Sequence, residues 1–279
     1  MSIDFDLDSS TLNYAVFGNP VEHSKSPQIH LLFAEQAGIN LVYQAIEVPE
    51  DNFQDYLDSF FIQSGKGLNV TVPFKEEAYS ICDVLTERAE QSASVNTIWM
   101  NNNQIYGDTT DGQGLINDLK NNHQLNLNSK QILVLGAGGS VKAILPPLVQ
   151  QNPAQIVIAN RTIDRAERLV EKFSGNTSIE AVSYNNLSEN KFDVLINGTS
   201  LSLAGKLPPI PNNILKEHAC CYDLMYSSEP TVFMRWAKEQ GAAKILDGLG
   251  MLVEQAAEGF FIWHGVKPET APVLNALRT

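Results

Sequence analysis

The sequence predicts an α/β fold in two domains: an N-terminal α/β domain with a mainly parallel sheet and a second, doubly wound α/β domain, with a cleft between them. Three observations carry this prediction. The chain has 279 residues, which exceeds the usual size of one domain. Strand patterns alternate repeatedly with helical patterns. A glycine-rich turn near the middle of the chain joins an apolar strand to a helix, as in doubly wound domains.

The composition limits the partner and the compartment. Hydrophobic residues make up 43% of the chain and charged residues 18%, which allows a sizeable core. The net charge of −13 argues against a nucleic acid or an anionic membrane as partner. The three cysteines, Cys82, Cys220 and Cys221, form no disulfide framework, which indicates a reducing compartment. The segment from Met1 to Ser10 lacks the apolar core of a signal peptide. We therefore expect a cytoplasmic location. No spacing indicates a metal site, and no apolar run could span a bilayer.

The first strand, 13–17, leads through a polar loop to a helix predicted over 28–37. Ser26 suits the N-cap of this helix and Pro27 its first position. With Ser24 nearby, the helix start presents two hydroxyls and a positive dipole end, which together attract anions such as carboxylates. Plain capping by Ser26 is the alternative.

The stretch 67–75 holds the first candidate for chemistry. It alternates like a half-buried strand, with three apolar residues on one face: Leu68, Val70 and Val72. Asn69 and Thr71 then point to the other face, where a polar ligand could bind. A proline at position 73 ends the strand, because it has no N–H for the sheet. Lys75 follows at the exit, where it can donate or accept a proton; a plain surface lysine is the alternative.

Further elements complete the first domain. The patterns predict strands over 41–48, 94–100 and 104–106, and helices over 52–64, 76–85 and 113–122. The helix over 52–64 places five residues on its buried face: Phe53, Tyr56, Leu57, Phe60 and Phe61. Asp111 lies in a Gly-flanked turn before the helix over 113–122, and its simpler interpretation is an N-cap. This turn is also the predicted domain boundary.

The second domain begins with an apolar strand over 131–135, as expected for a sheet covered on both faces. Glycines at 136, 138 and 139 follow, and then a helix over 143–150. The glycines would let backbone N–H groups approach a pyrophosphate, and the helix start would favour its charge. Val141 stands where the usual motif has its third glycine, so the glycine pattern alone is weak and its strand–helix context strengthens it.

The next strand, 155–159, indicates which dinucleotide binds. An NAD site usually has Asp or Glu at this strand end, where it binds the ribose 2′-hydroxyl. This chain has Arg161 instead, with Arg165 one turn further on. Because guanidinium groups suit a 2′-phosphate, we expect NADP rather than NAD. A surface arginine at a strand end is the alternative.

The remaining patterns predict strands over 192–197, 219–224 and 244–246 and helices over 231–240, 252–261 and 268–277. Thr199 follows the strand over 192–197, at a carboxyl end where cofactors bind in such sheets. Gln255 is a polar residue in an otherwise apolar helix, so it faces either solvent or the cleft. The last helices would pack back on the first domain and make it discontinuous.

Taken together, the chain resembles the shikimate dehydrogenase family over nearly its whole length. Eight motifs in the same order carry the resemblance: His23–Pro27, Asn69–Lys75, Val95–Thr97, Asp108–Gly112, Gly136–Gly139, Asn160–Thr162, Asp223–Tyr226 and Asp247–Gln255. Three positions depart from the family pattern, which usually has Asn at Thr109, Ala or Ser near Val141, and often Ala at Gly198.

The resemblance implies an NADP-dependent enzyme of aromatic amino-acid biosynthesis that interconverts 3-dehydroshikimate and shikimate, without a metal. It implies that Lys75 and Asp111 form the catalytic pair. The implied substrate-binding residues are Ser24, Ser26, Asn69, Thr71, Lys75, Asn96, Asp111, Tyr226 and Gln255. The implied cofactor-binding residues are Gly136, Ala137, Gly138, Gly139, Ser140, Asn160, Arg161, Thr162, Arg165, Thr199, Leu224 and Gly248.

The implied domains are a substrate-binding catalytic domain over 1–111 plus 248–279 and a Rossmann-like NADP-binding domain over 112–247, in a monomer or homodimer. Two alternatives stay open. One is an NAD-dependent quinate/shikimate dehydrogenase, which Arg161 disfavours. The other is a non-catalytic NADP-binding regulator on the same fold, which the presence of both Lys75 and Asp111 disfavours.

Overall fold

A computed structural model describes residues 11–173, 178–187 and 190–278. The chain forms two compact units. The first comprises the residues up to Gly114 and those from Val253 onward, and the second comprises Leu115–Leu252. The N-terminal segment that was predicted to lack a signal core, 1–10, lies outside the described residues.

The described chain has ten α-helices. Their bounds are α1 (Ser26–Ala37), α2 (Phe53–Ile62), α3 (Lys75–Ile81), α4 (Glu87–Ser92), α5 (Asp111–Asn117), α6 (Gly139–Val149), α7 (Ile163–Lys172), α8 (Val232–Glu239), α9 (Leu249–His264) and α10 (Thr270–Arg278). A π-helical turn, Asp118–Asn122, continues α5. Short 3₁₀ turns lie at Glu50–Asn52, Tyr184–Asn186 and Ser200–Ala204.

The sheet of the first unit has six strands in the part of the chain that is described. They are β1 (Leu12–Gly18), β2 (Leu41–Glu47), β3 (Gly65–Val70), β4 (Val84–Leu85), β5 (Thr97–Asn101) and β6 (Gln104–Asp108). The spatial order is β2-β1-β3-β5-β6-β4. β1 runs parallel to β2 and β3, and β4 runs parallel to β6, whereas β5 is antiparallel to both of its neighbours. The predicted, mainly parallel sheet is therefore confirmed, with one hairpin, β5–β6, between β3 and the edge strand β4.

The core of the first unit lies between this sheet and the aromatic face of α2. Phe53, Leu57 and Phe60 are fully buried there, because they recur at helical spacing on one side of α2. Tyr56 and Phe61, which were predicted on the same face, are only half-buried and pack at the edge of the cluster.

Three local predictions about this unit were wrong. Val72 is 65% exposed rather than buried, because β3 ends at Val70 and the N–H of Phe74 closes a turn onto the carbonyl of Thr71. The helix predicted over 76–85 ends at Ile81, after which the chain pairs with β6 as β4. Ser26 is not an N-cap: α1 begins at Ser26, and the Ser24 hydroxyl accepts the Ser26 N–H at 3.2 Å.

The sheet of the second unit is parallel throughout its described strands. Its strands are β7 (Gln131–Leu135), β8 (Gln155–Ala159), β9 (Ser178–Val182), β10 (Phe192–Asn197), β11 (Leu215–Asp223) and β12 (Lys244–Leu246). Their spatial order, β9-β8-β7-β10-β11-β12, is the doubly wound order of a Rossmann fold. The strand order reverses between β7 and β10, which is where such sheets bind dinucleotides. The sequence analysis missed β9 and α7 as elements.

Candidate active site

The centre of the first unit is an ion pair between Lys75 and Asp111. Lys75 is the first residue of α3 and Asp111 the first residue of α5. Lys75 Nζ lies 2.5 Å from Asp111 Oδ2, with side chains that are 19% and 9% exposed. A nearly buried pair of this kind is well shielded from water, and an ammonium has three N–H bonds, so Lys75 can also donate to a ligand oxygen.

Asn96 is the hub that joins this pair to the rest of the site. Its Nδ2 lies 2.9 Å from Asp111 Oδ1 and 3.1 Å from Gln255 Oε1. Its Oδ1 accepts the Thr110 N–H at 2.9 Å. The amide orientation of Asn96 is therefore fixed on both sides, and both oxygens of Asp111 are held. Thr110 was not among the predicted site residues, because no sequence signal distinguishes it from its neighbour Thr109.

Asn69 extends the network from β3. Its Nδ2 donates to the backbone carbonyl of Asn96 at 3.1 Å and to Thr97 Oγ1 at 3.2 Å. Its Oδ1 accepts the hydroxyl of Tyr43 at 2.6 Å. The predicted residues Asn69, Asn96, Asp111, Lys75 and Gln255 thus belong to one hydrogen-bonded cluster. Tyr43, which holds the Asn69 amide, was missed by the sequence analysis; its signal is a tyrosine at a buried strand position, which needs a hydroxyl partner.

Ser24 and Thr71 lie on two loops of the same unit. The Ser24 hydroxyl accepts a backbone N–H at the start of α1, so it lies beside the helix end that was predicted to attract an anion. The N–H of Thr71 donates to the carbonyl of Phe17, and its methyl group lies against Gly18, in the space that a Cβ would take.

A second buried carboxylate anchors the segment that carries Asp111. Asp108 is 3% exposed and receives two bonds of 2.6 Å from the Arg88 guanidinium. It also accepts the hydroxyl of Thr86 and the N–H of Thr109. A two-bond guanidinium–carboxylate contact is geometrically specific, so Arg88 on α4 fixes the course of the chain before Asp111. The sequence analysis did not identify Arg88.

In the second unit, the glycine-rich turn leaves β7 and enters α6. Gly136 has a φ of 102°, which only glycine adopts without strain. A Cβ at Gly138 or Gly139 would meet nothing within 4 Å. Together with Ala137 and Ser140, these residues leave an open, backbone-lined start of a helix at the switch point of the sheet, which fits a pyrophosphate.

Two departures from the family pattern meet at this turn. A Cβ at Gly198 would lie 2.5 Å from Val141 Cγ2, and Val141 is fully buried. The valine side chain therefore occupies the room that an alanine at position 198 would need. The larger residue at 141 and the smaller one at 198 compensate for each other in volume.

The end of β8 carries the residues predicted to contact a 2′-phosphate. Arg161, Thr162 and Arg165 are exposed, and the Asn160 side chain donates to the carbonyl of Thr162 at 2.7 Å. The exposed cationic side chains of Arg161 and Arg165 suit a phosphate rather than a ribose hydroxyl, and no acidic residue stands at 160–162.

A buried carboxylate, Asp223, organises the carboxyl ends of β10 and β11. It accepts the side chains of Asn197, Ser202 and Thr231 and the N–H of Met225. Burial raises its pKa, although these hydrogen bonds act in the opposite direction. Asn197 Oδ1 in turn accepts both the N–H and the hydroxyl of Thr199. Asp223 and Asn197 thus hold Thr199, and the sequence analysis assigned a role to neither.

The other predicted residues of this unit follow β11 and β12. Gly248 approaches the carbonyl of Leu224 so closely that a Cβ would overlap it. Burial raises the pKa of Tyr226, so its hydroxyl keeps its proton and can donate. Within the described residues, no group of three or more His, Cys, Asp or Glu side chains could hold a metal ion. Across those same residues, no helix has the length and apolar character to cross a membrane.

The chain combines a doubly wound unit, which has an open glycine-rich turn, with a nearly buried lysine–aspartate pair. This combination defines the class of nicotinamide-dependent oxidoreductases. Three family models match the chain: the shikimate dehydrogenase substrate binding domain over residues 16–98, shikimate / quinate 5-dehydrogenase over 118–204, and the shikimate 5′-dehydrogenase C-terminal domain over 248–278. The chain belongs to the shikimate dehydrogenase family.

Individual relatives are similar over nearly the full length. The shikimate dehydrogenase (NADP(+)) of Alkalilimnicola ehrlichii is 52% identical over 268 residues, which cover 96% of this chain and 99% of the relative. The crystal structure of an Ael1 enzyme from Pseudomonas putida is similar with a TM-score of 0.92 and 41% identity, covering 96% of this chain and 98% of that one. Shikimate 5-dehydrogenase from Thermus thermophilus, solved in complex with NADP(H) and shikimate, has a TM-score of 0.85 and 31% identity, with 96% and 98% covered.

Proposed function

We propose that the protein catalyses the reversible, NADPH-dependent reduction of 3-dehydroshikimate to shikimate in the shikimate pathway, which leads to chorismate and the aromatic amino acids. The observation that carries this proposal is the ion pair of Lys75 and Asp111 inside a hydrogen-bonded cluster with Asn96 and Gln255. Membership of the shikimate dehydrogenase family supplies the substrate class, and curated relatives bear the name shikimate dehydrogenase (NADP(+)).

The first unit offers groups for each part of the substrate. Ser24 and Ser26, at the start of α1, bind the carboxylate through their hydroxyls and the positive end of the helix. The ring hydroxyls are bound by five polar side chains: Asn69, Thr71, Asn96, Asp111 and Gln255. Tyr226 donates to the carboxylate.

Lys75 carries the proton chemistry. In the reduction, negative charge develops on the C3 carbonyl oxygen, and the Lys75 ammonium stabilises this charge and donates a proton to it. In the oxidation, the Lys75 nitrogen takes the proton from the C3 hydroxyl. Asp111 holds Lys75 through Oδ2, and Asn96 holds Asp111 through Oδ1. Lys75 remains 19% exposed, so its proton can exchange with solvent.

The second unit fits NADP. The backbone of the turn Gly136–Ser140 and the start of α6 bind the pyrophosphate. The 2′-phosphate is surrounded by Asn160, Arg161, Thr162 and Arg165. The nicotinamide side is lined by Thr199, Leu224 and Gly248. When bound, the cofactor supplies or accepts the hydride.

The proposal extends to the organisation of the molecule. The catalytic, substrate-binding domain comprises 1–111 plus 248–279, and the NADP-binding domain comprises 112–247. We expect a cytoplasmic monomer or homodimer that binds no nucleic acid, in keeping with the net charge of −13. Size-exclusion chromatography with light scattering measures the oligomeric state.

The test is the absorbance of the reduced nicotinamide with purified protein and shikimate. NADP and NAD are compared as cofactors, and quinate replaces shikimate in a parallel series. We expect fast reduction with shikimate and NADP alone. Comparable rates with NAD or quinate would favour the NAD-dependent quinate/shikimate dehydrogenase. No turnover in any mixture, with NADP still bound, would favour a non-catalytic regulator.

A further inference from the structure

The Tyr43 hydroxyl connects two strands of the first unit. Tyr43 lies in β2 and is 5% exposed. Its hydroxyl lies 2.6 Å from Asn69 Oδ1 on β3. Its ring is held independently of the hydroxyl, because it stacks on His30 with centroids 4.4 Å apart and planes 7° from parallel.

The direction of each hydrogen bond follows from the groups involved. Asn69 Nδ2 faces two acceptors, the carbonyl of Asn96 and Thr97 Oγ1, so Asn69 Oδ1 must be the atom that faces Tyr43. A carbonyl oxygen only accepts, and burial raises the pKa of Tyr43 well above its usual value, so Tyr43 donates. Protons therefore point one way along the series Tyr43, Asn69 and the carbonyl of Asn96.

We propose that Tyr43 is a positioning residue for substrate binding, which orients the Asn69 amide toward the substrate. This proposal rests on the proposed function, because it assumes that Asn69 binds 3-dehydroshikimate and shikimate. Without the Tyr43 hydroxyl, the Asn69 amide would lose the donor that keeps its carbonyl on the Tyr43 side.

The chain provides a matched control for Tyr43. Tyr14 is the residue paired with Tyr43 across the neighbouring strand β1, so both side chains point to the same face of the sheet. Tyr14 is equally buried and stacks on Trp263 with centroids 4.7 Å apart. Among the described residues, none of the hydrogen bonds that join Tyr43, Asn69 and Asn96 involves the Tyr14 hydroxyl. Removing either hydroxyl leaves its ring packing in place.

The experiment measures steady-state KM for shikimate and for NADP in wild type, Tyr43→Phe and Tyr14→Phe. Turnover by the wild type comes first; its absence with shikimate and NADP would refute the proposed function itself. Given turnover, we expect Tyr43→Phe to raise the KM for shikimate about tenfold, the factor for one lost buried hydrogen bond. The KM for NADP should stay within about twofold, because Tyr43 is not among the residues proposed to bind NADP. Tyr14→Phe should leave both constants within about twofold, because the Tyr14 hydroxyl makes none of the bonds that hold Asn69.

Two further variants separate positioning from general loosening. In an Asn69→Ala background, Tyr43→Phe should change the KM for shikimate less than about twofold, because residues that act in series are non-additive. Thr97→Val removes the bond from Asn69 Nδ2 to Thr97 Oγ1, together with the bond from Thr97 Oγ1 to Asn96 Oδ1, and leaves Tyr43 intact. It should therefore raise the KM for shikimate selectively even if Tyr43→Phe fails to fold. Any of three results would overturn the proposal. The first is an unchanged KM for shikimate in both Tyr43→Phe and Thr97→Val. The others are a parallel rise in the KM for shikimate and the KM for NADP, and full additivity of Tyr43→Phe with Asn69→Ala.

Discussion

Lys75 Nζ lies 2.5 Å from Asp111 Oδ2, although the two residues stand 36 positions apart in the chain. Each is the first residue of a short helix, α3 and α5 respectively. A carboxylate at a helix start is favourable, whereas a cation there is disfavoured by the helix dipole. The position of Lys75 therefore does not stabilise α3, and the nearby Asp111 offsets the unfavourable placement. Such a placement points to a chemical role for Lys75.

Replacing Lys75 should separate chemistry from binding. We expect Lys75→Ala to lower kcat by about 10²–10⁴-fold, the usual contribution of a general acid–base group, while the KM for shikimate changes much less. Lys66→Ala is the matched control, because Lys66 lies in the preceding strand β3 and is exposed. Steady-state kinetics of both variants make the comparison. A rise in KM as large as the loss in kcat would make Lys75 a binding residue instead.

Replacing Arg161 should change cofactor preference. Arg161→Ala removes a guanidinium from the end of β8, so we expect the KM for NADP to rise about tenfold or more, since charge-assisted hydrogen bonds contribute about 1.5–3 kcal/mol. The KM for NAD should stay nearly constant, because NAD lacks the 2′-phosphate. Arg168→Ala, an exposed arginine on the following helix α7, serves as control. Equal losses with NADP and NAD would show that Arg161 does not read the 2′-phosphate.

The second unit was more predictable from sequence than the first. Strands β7, β8 and β10 match their predicted bounds, because strands buried on both faces read as unbroken apolar runs bounded by turn residues. The short strand β12 also matches its predicted bounds, although none of its residues is buried. In the first unit, the alternation of 67–72 continues past the last paired residue, Val70, so Val72 was wrongly assigned to the buried face. Periodicity cannot show where hydrogen bonding stops.

In the site, too, some residues could be predicted from the sequence and others could not. The sequence indicates polar residues at strand and helix ends, and Lys75, Asn96 and Asp111 are among them. It does not indicate the residues that hold these side chains, such as Tyr43 or Arg88. Their partners Asn69 and Asp108 are 26 and 20 residues away, and pairing at that separation depends on the order of the strands, which a single sequence does not provide.

His30 should make the first unit less stable in mild acid. It is fully buried against Tyr43, Trp263 and His264, and burial, helped by the nearby His264, lowers its pKa to about 3 from 6.5. The folded state thus keeps His30 neutral, whereas the unfolded chain binds a proton below pH 6.5. Stability is present above pH 6.5 and is lost as the pH falls toward 3, by about 2 kcal/mol between pH 7 and pH 5 from this residue.

Urea unfolding at pH 7 and pH 5 measures this loss. His30→Leu removes the titrating group, so its free energy of unfolding should fall less between the two pH values than that of the wild type, whatever its absolute stability. His23→Leu, at an exposed position, should keep the wild-type pH dependence. An identical fall in wild type and His30→Leu would rule out His30 as the source.

Val141 and Gly198 should behave as a compensating pair. Gly198→Ala alone places a Cβ 2.5 Å from Val141 Cγ2, and overpacking of this kind costs about 1–3 kcal/mol. Val141→Ala alone removes two buried methyl groups and leaves a cavity, at a cost of roughly 2 kcal/mol. In the double variant the new methyl group enters the vacated space, so the loss should be smaller than the sum of the single losses by about 1 kcal/mol or more. Urea unfolding of the four proteins measures this coupling.

Val157→Ala provides the control, because Val157 packs in the core on the other face of the same sheet. Combined with Gly198→Ala it should be additive, and equal coupling for Val157 and Val141 would show that the two departures from the family pattern are unrelated.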